Sequence, residues 1–580
     1  MKTKSLILAG LALVALVSCN KEKNESPFSG DGDNAYLSVQ IAYANGAATK
    51  GSEDSTNPFY YGTAEENAVK TADFFFYMSD GTYFSHVRQA ISGTGNTHAT
   101  TPADGNIEWV GNGVVVLRGL TSTNSPAYMA VVLNGSSTLI AALEGKAMDE
   151  AHKTIKTTDL AETVSGVLTN FTMTSTVCVD NTIGDNYCAA LTTNMFKESE
   201  AAAKAATGSD VVEAFVERVA AKVTVDITAP ATTAGTETIY KIGDFELDNA
   251  TGTTKPLYLK VHGWGLNATT KDSYSFKNID PSWTFGTITI NSVTAPEFEW
   301  NDAKNHRSYW AKSTNYGDAT LNYPRSFNND NATNKNYKGY TTSTMPLAYT
   351  TYTDANVALS SPAYCRENTN TETILDANNF NTTATCALLT AQVVDENGSA
   401  IALVLYENKY WTLDGYKNRV LAKYASNVPY KSAGVKATAS DLEFVDANDG
   451  LIYVKFVDGT YYKDATATTA YADAAELATL WPRANTEGLG YKDGMMYYSI
   501  PIEHLRGAGT YEAKNLVEAD YGVVRNHWYN LTISKIANLG RGVWNPDEQI
   551  VPDDNDAKKY YVAAKINILS WKIVKQSVEL

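Results

Sequence analysis

Apolar residues fall on every second position in run after run of this chain, a period that confines those runs to half-buried β-strands. Val562, Ala564, Ile566 and Ile568 show it near the C-terminus; the phase shifts around Ser570, and Val574, Val578 and Leu580 carry it to the last residue. Chain ends usually fray and are polar, so a strand-patterned end implies a partner sheet. Leu37, Val39 and Ile41 share one face of a run from Tyr36 to Tyr43, and Val219, Ala221, Val223 and Val225 open another. Further strand-like runs, some of them continuously apolar, are Phe74 to Met78, Gly113 to Leu117, Tyr128 to Leu133, Ile239 to Leu247, Leu257 to Val261, Thr284 to Ile290, Ala402 to Tyr406, Leu451 to Val457 and Tyr521 to Ile533. Helical patches are few: Met148 to Glu162, Glu198 to Ala206 and Asp473 to Leu480. Strands do not alternate with helices at regular spacing, so the expected class is mainly β, with two β-sandwich-like domains and a few short helices. The first domain is expected to end near Val212. The Tyr-, Asn- and Thr-rich stretch from Asn305 to Asn381 reads as long surface loops.

Charge and motifs remove several functions. Sixty-four acidic residues against 47 basic ones leave a net charge of −17, with no long basic run, which argues against nucleic acid as a partner. The seven histidines are scattered, and there is no HExxH, GxSxG, Walker A or Rossmann pattern. No enzyme activity and no cofactor are expected. Asp446-Ala447-Asn448-Asp449-Gly450 is similar to a calcium loop, but its glycine comes one place early and no bidentate glutamate follows, so it reads as a turn.

The N-terminus points to export. Lys2 and Lys4 precede an apolar run from Leu6 to Val17, too short to span a bilayer but suited to a signal peptide. Leu16-Val17-Ser18-Cys19 resembles a bacterial lipobox, which implies a signal over residues 1–18, acylation of Cys19 and a polar tether over 19–34. The loop from Asn45 to Pro58 is rich in Gly and small polar residues and exposes Lys50-Gly51. An exported protein can hold disulfides, and sequence proximity favours Cys178 with Cys188 and Cys365 with Cys386 among three pairings.

In their order these segments resemble the fimbrillin family, which builds type V pili on Bacteroidales cells, and look most like the shaft subunit of a short fimbria. The resemblance rests on the lipobox, the first strand with its basic loop, Val216-Glu217-Arg218, Tyr491-Lys492-Asp493-Gly494 before Tyr497-Tyr498, Val524-Arg525-Asn526-His527 and Ile568-Leu569-Ser570-Trp571-Lys572. It implies transthyretin-like domains over 51–212 and 213–556 and a lipidated precursor at the outer membrane. A trypsin-like protease would cut between Lys50 and Gly51, removing residues 35–50. The family often has Arg where this chain has Lys50. The groove left by Leu37, Val39 and Ile41 would then receive the tail of a neighbouring copy, residues 557–580, through Ile566, Ile568, Trp571, Val574, Val578 and Leu580. Implied partners are copies of the chain, anchor and tip subunits, the protease and an adhesion receptor; the implied end point is an extracellular fimbrium. The rival readings are a surface lipoprotein that binds glycans through its many Tyr and Trp rings, and an accessory subunit of the same pilus.

Overall fold

The computed structural model describes residues 33–44, 62–90, 107–121, 124–156, 160–176, 178–180, 184–278, 289–290, 293–294, 311–318, 346–371, 383–504, 521–551, 563–569 and 574–575. Strands dominate, and the α-helices among the described residues are five short ones.

Five early strands, β1 (Asp33–Ala44), β2 (Thr71–Tyr77), β3 (Tyr83–Ala90), β4 (Ile107–Leu120) and β5 (Tyr128–Leu133), join later segments in a nine-stranded sheet. The later members include Met173–Ser175, Phe196–Lys197 and Val212–Arg218. Phe74 and Phe76 of β2 enter one core with Leu37, Val39, Val131 and Val216. Phe75 and Tyr77, pointing the other way, enter a second core with Leu139, Ile140, Tyr187 and Phe276. This sheet is therefore covered on both faces, which explains the unbroken apolar run of β2.

The helix Ser137–Leu143 supplies part of that cover, and its N-cap Ser136 accepts a hydrogen bond from the backbone N–H of Leu139 at 3.2 Å. The helix expected over Met148 to Glu162 stops at His152. Beyond it Ile155–Lys156 pairs with Ser273–Tyr274, and strand pairing replaces the helical ladder.

The chain passes from the first sheet to the next just after Arg218. Val212–Arg218 belongs to the first sheet, whereas Ala221–Ile227 belongs to a five-stranded sheet, with Val219-Ala220 between them. The five-stranded sheet runs Ala363–Cys365, Ala221–Ile227, Trp528–Lys535, Ala563–Leu569, Val574–Lys575. A six-stranded sheet, centred on Thr254–Asn267 and Cys386–Val394, faces it. Val223, Val225, Tyr529 and Leu531 from one, and Leu257, Leu389 and Tyr498 from the other, share one core, so this part is a sandwich.

A further five-stranded sheet includes Leu403–Tyr406, Leu451–Phe456 and Gly488–Tyr491, with the helix Leu413–Lys423 packed beside it.

Two expectations about irregular regions are corrected. Within Asn305 to Asn381 the described residues are partly interior: Ser313, Asn315, Glu367, Asn368, Thr369 and Asn370 are buried. Their polar side chains satisfy buried backbone, as when Asn368 Nδ2 donates to the carbonyls of Ala268 and Thr383. The run expected as a strand from Tyr521 becomes one only at Trp528, because Tyr521 to His527 is a buried connection carrying polar anchors. Most of Thr284 to Ile290 lies outside the described residues.

Candidate functional site

β1 occupies an interior position in its sheet. Along one edge it pairs antiparallel with β4, from Asp33 to Ala44. On the other it meets Phe196–Lys197 and then runs parallel to Val212–Arg218, from Val39↔Val212 to Tyr43↔Val216. Ala35, Leu37, Val39 and Ile41 are buried, while Tyr36, Ser38 and Gln40 between them are only half-buried, as strand alternation requires. Removing this segment would leave an apolar slot flanked by two rows of unpaired backbone groups, the geometry that accepts an extended chain.

Just past the undescribed stretch that includes Lys50 and Gly51, the chain is clasped. Glu66 is buried, with its Oε1 2.7 Å from Lys222 Nζ and accepting from the Tyr364 hydroxyl at 2.5 Å. Its Oε2 accepts from the backbone N–H of Thr63 at 2.8 Å. Arg218 Nε donates to the Glu66 carbonyl at 3.0 Å, and the same guanidinium bonds Asn67 Oδ1. Strand Val212–Arg218, the segment 62–70 and the sandwich are thereby tied at one point.

Burial alone would raise the Glu66 carboxyl, but the charges of Lys222 and Arg218 outweigh it and hold the group below its usual 4.5. A lowered carboxylate contributes stability above its unfolded-state value that is lost as pH falls through the folded one. The stability difference between the native chain and Glu66→Gln should therefore be constant above about pH 5 and shrink as pH falls below about 4.5. Denaturant melts at successive pH values check this; a difference that grows on acidification would refute it.

A second buried cluster lies on the other side of the same strand end. Lys277 Nζ is 2.7 Å from Glu217 Oε2, and Arg525 Nη2 is 2.7 Å from Glu367 Oε2. Burial pushes the Glu217 carboxyl up and the Lys277 ammonium down, drawing that pair towards neutrality. Arg525 Nη2 also donates to the Tyr274 carbonyl at 2.9 Å.

The C-terminal residues are placed elsewhere. Ile566 and Ile568 stand on Ala563–Leu569, opposite Leu531 and Tyr529 of the chain's own sandwich. Val574 stands opposite Ile568 on the last described strand. The structure therefore does not bring these residues to Leu37, Val39 and Ile41 within one chain. Cys19, Lys50, Gly51, Trp571, Val578 and Leu580 lie outside the described residues.

The expected Cys365–Cys386 bond is absent. Cys365 faces the sandwich core, whereas Cys386 alternates with the core residues Ala387 and Leu389 and so faces away. Both are free buried thiols, pushed by burial to about 12 and about 11 respectively. Cys188 is buried, and the Cys178 side chain lies outside the described residues. Sequence reasoning missed the ionic clasps: Glu66 and Lys222 are 156 residues apart (222 − 66), and nothing local marks them as partners.

Residues 490–577 match the family described as "Major fimbrial subunit protein type IV, Fimbrillin, C-terminal". No curated protein matches the chain. Among solved structures, the chain is similar to a protein proposed for cell adhesion in Parabacteroides distasonis, at 12% identity, covering 93% of this chain and 98% of that one, with TM-score 0.36. A fimbrilin from Porphyromonas gingivalis shows 11% identity over 93% and 99% of the two chains, with TM-score 0.34. A C-terminally truncated tip fimbrial protein from the same species shows 11% over 93% and 100%, with TM-score 0.27.

Proposed function

We propose that this chain, whose residues 490–577 match the fimbrillin C-terminal family, is a structural subunit of a surface fimbrium that polymerises by strand exchange. In this reading the precursor is acylated at Cys19, reaches the outer membrane, and is cut between Lys50 and Gly51 by a trypsin-like protease. β1 then leaves, and its slot takes a strand from the next copy; tip and anchor subunits complete the fibre. The observation that carries the proposal is that β1, which directly precedes the basic loop, is an interior strand buried on its apolar face and paired on both edges.

The donor we favour is the end of the tail. Seven residue pairs hold Ala563–Leu569 to Trp528–Lys535, whereas two hold Val574–Lys575 to its neighbour. In this reading Ile566 and Ile568 stay in their own sandwich, and the tail after Leu569 is the strand offered to the next copy. Extended, it reaches roughly 36 Å, close to the roughly 40 Å of β1. Val574, Val578 and Leu580 supply its apolar alternation, with Trp571 at its start.

A chain ending at Leu569 should be exported, melt within a few degrees of the full chain and form no fibres. Electron microscopy and SDS-resistant ladders check this; normal fibres from the truncated chain would overturn the donor assignment. Fatty-acid label should enter the native precursor and not Cys19→Ser; equal labelling would remove acylation from the proposal.

A further inference from the structure

An open cleft of about 880 Å³ lies where the first sheet meets the sandwich, remote in role from the β1 slot. Among the described residues its charged lining is Lys70, Arg88 and Arg366 together with the carboxylate of Glu162. Among the described lining residues, cations outnumber carboxylates, on a chain whose net charge is −17. Such a site gathers anions that the rest of the surface repels.

The cations are held in different ways. The Lys70 side chain is 62% exposed and bonds Glu162 Oε1 at 3.1 Å. The Arg88 side chain is 42% exposed; its described contacts are long, at 3.4 Å to Thr71 Oγ1, 3.4 Å to the Gly135 carbonyl and 3.8 Å to Asp73 Oδ1. Asp73 Oδ1 is already engaged by His86 Nε2 at 2.8 Å. A guanidinium with five donors in a fixed fork and such loose contacts is suited to a planar oxyanion.

One wall of the cleft is the hairpin Glu162–Val164 and Val167–Thr169. Ser165 and Gly166 at its tip have φ of 53° and 83°, a two-residue turn with both residues left-handed, which pins the strands. Val164 and Leu168 line the cleft and are 51% and 40% exposed. They are two of the four exposed large hydrophobic residues among the described ones; Val167 beside them is a third.

We propose that this cleft binds an anionic saccharide, one carrying a carboxylate or a sulfate. The cations would take the acid group, and Val164 and Leu168 the C–H face of a ring. The lining carries more hydroxyl and amide side chains than charges, which fits a ligand that is mostly hydroxyl with an occasional acid rather than a dense polyanion. This assignment does not depend on polymerisation.

Calorimetric titration of the intact chain with sialyllactose, a sulfated heparin disaccharide, neutral lactose and a tetraglutamate peptide tests it. At least one anionic saccharide should bind, with lactose and the peptide weaker by roughly tenfold or more; which of the two prevails separates carboxylate from sulfate recognition. Arg88→Gln and Lys70→Gln should each weaken that binding by roughly fivefold or more. Lys455→Gln, on a distant strand, should not. Absence of anionic-saccharide binding at about ten millimolar, equal binding of lactose or of the peptide, or indifference to both variants would overturn the proposal. Thermal melts establish that the variants fold. If either does not, protection of Lys70 from acetylation by the bound saccharide in the native chain decides instead, and lack of protection refutes the site.

Discussion

Cells producing Lys50→Gln are expected to display the subunit and assemble essentially no fibres from it. The substitution removes the basic residue between β1 and the clasp at Glu66, so a trypsin-like cut no longer frees β1. An uncut β1 competes with any incoming strand from within the same chain, at a high effective concentration. Its Leu37, Val39 and Ile41 are buried, and at about 1.5–3 kcal/mol each they hold the slot shut by about 5–9 kcal/mol before backbone pairing is counted. Even the lower figure leaves only about one chain in several thousand open at equilibrium. N-terminal sequencing of native fibres should read from Gly51, and microscopy of the variant should show bare cells. Fibres of normal length and number built from uncut chains would show that β1 is not what gates assembly.

The second large effect is expected at Arg525. Its guanidinium and the Glu367 carboxylate are 0% and 1% exposed. Arg525→Met would leave Glu367 buried without its partner, a change that costs about 3–5 kcal/mol and lowers the melting point by on the order of 10 °C. Replacing both, as Arg525→Met with Glu367→Leu, should recover most of that loss, because the cost lies in the orphaned charge more than in the missing attraction. Calorimetry of the two variants checks the pair. A double variant as unstable as the single one would mean that Arg525 acts mainly through its bonds to the Tyr274 and Ser275 carbonyls.

Strands were legible because short apolar runs, alternating or continuous, stand out in a single sequence. Tyr128 to Leu133 matches β5 residue for residue, and the buried face of β1 follows its alternation. The helix Leu413–Lys423 was not legible, since only Tyr416 and Val420 along it are buried, too few to form an apolar stripe. The end of Met148–His152 was hidden for a different reason: the residues after it are committed to a strand pair with Ser273–Tyr274, more than a hundred positions away. The cleft and both ionic clusters depend on such distant pairings, as with Glu367 and Arg525, 158 residues apart. The groove, by contrast, was readable on one side, because β1 advertises its buried face. That its neighbours are β4 and the parallel strand Val212–Arg218 is visible only in the fold.

That parallel neighbour also sets a mechanical property. Val212–Arg218 continues after two residues into Ala221–Ile227, in which Lys222 stands opposite Trp528, and Trp528 stands opposite Leu569. A pull applied between the β1 slot and the tail would cross the sandwich along that transverse row. The row is reinforced where the Lys222 ammonium lies 4.5 Å from the centre of the Trp528 ring and Trp528 Nε1 donates to Thr224 Oγ1 at 2.9 Å. The sheet that carries Leu413–Lys423 hangs outside this line of tension. In a fibre assembled as proposed, its surface could change in sequence and shape without weakening the path of the load.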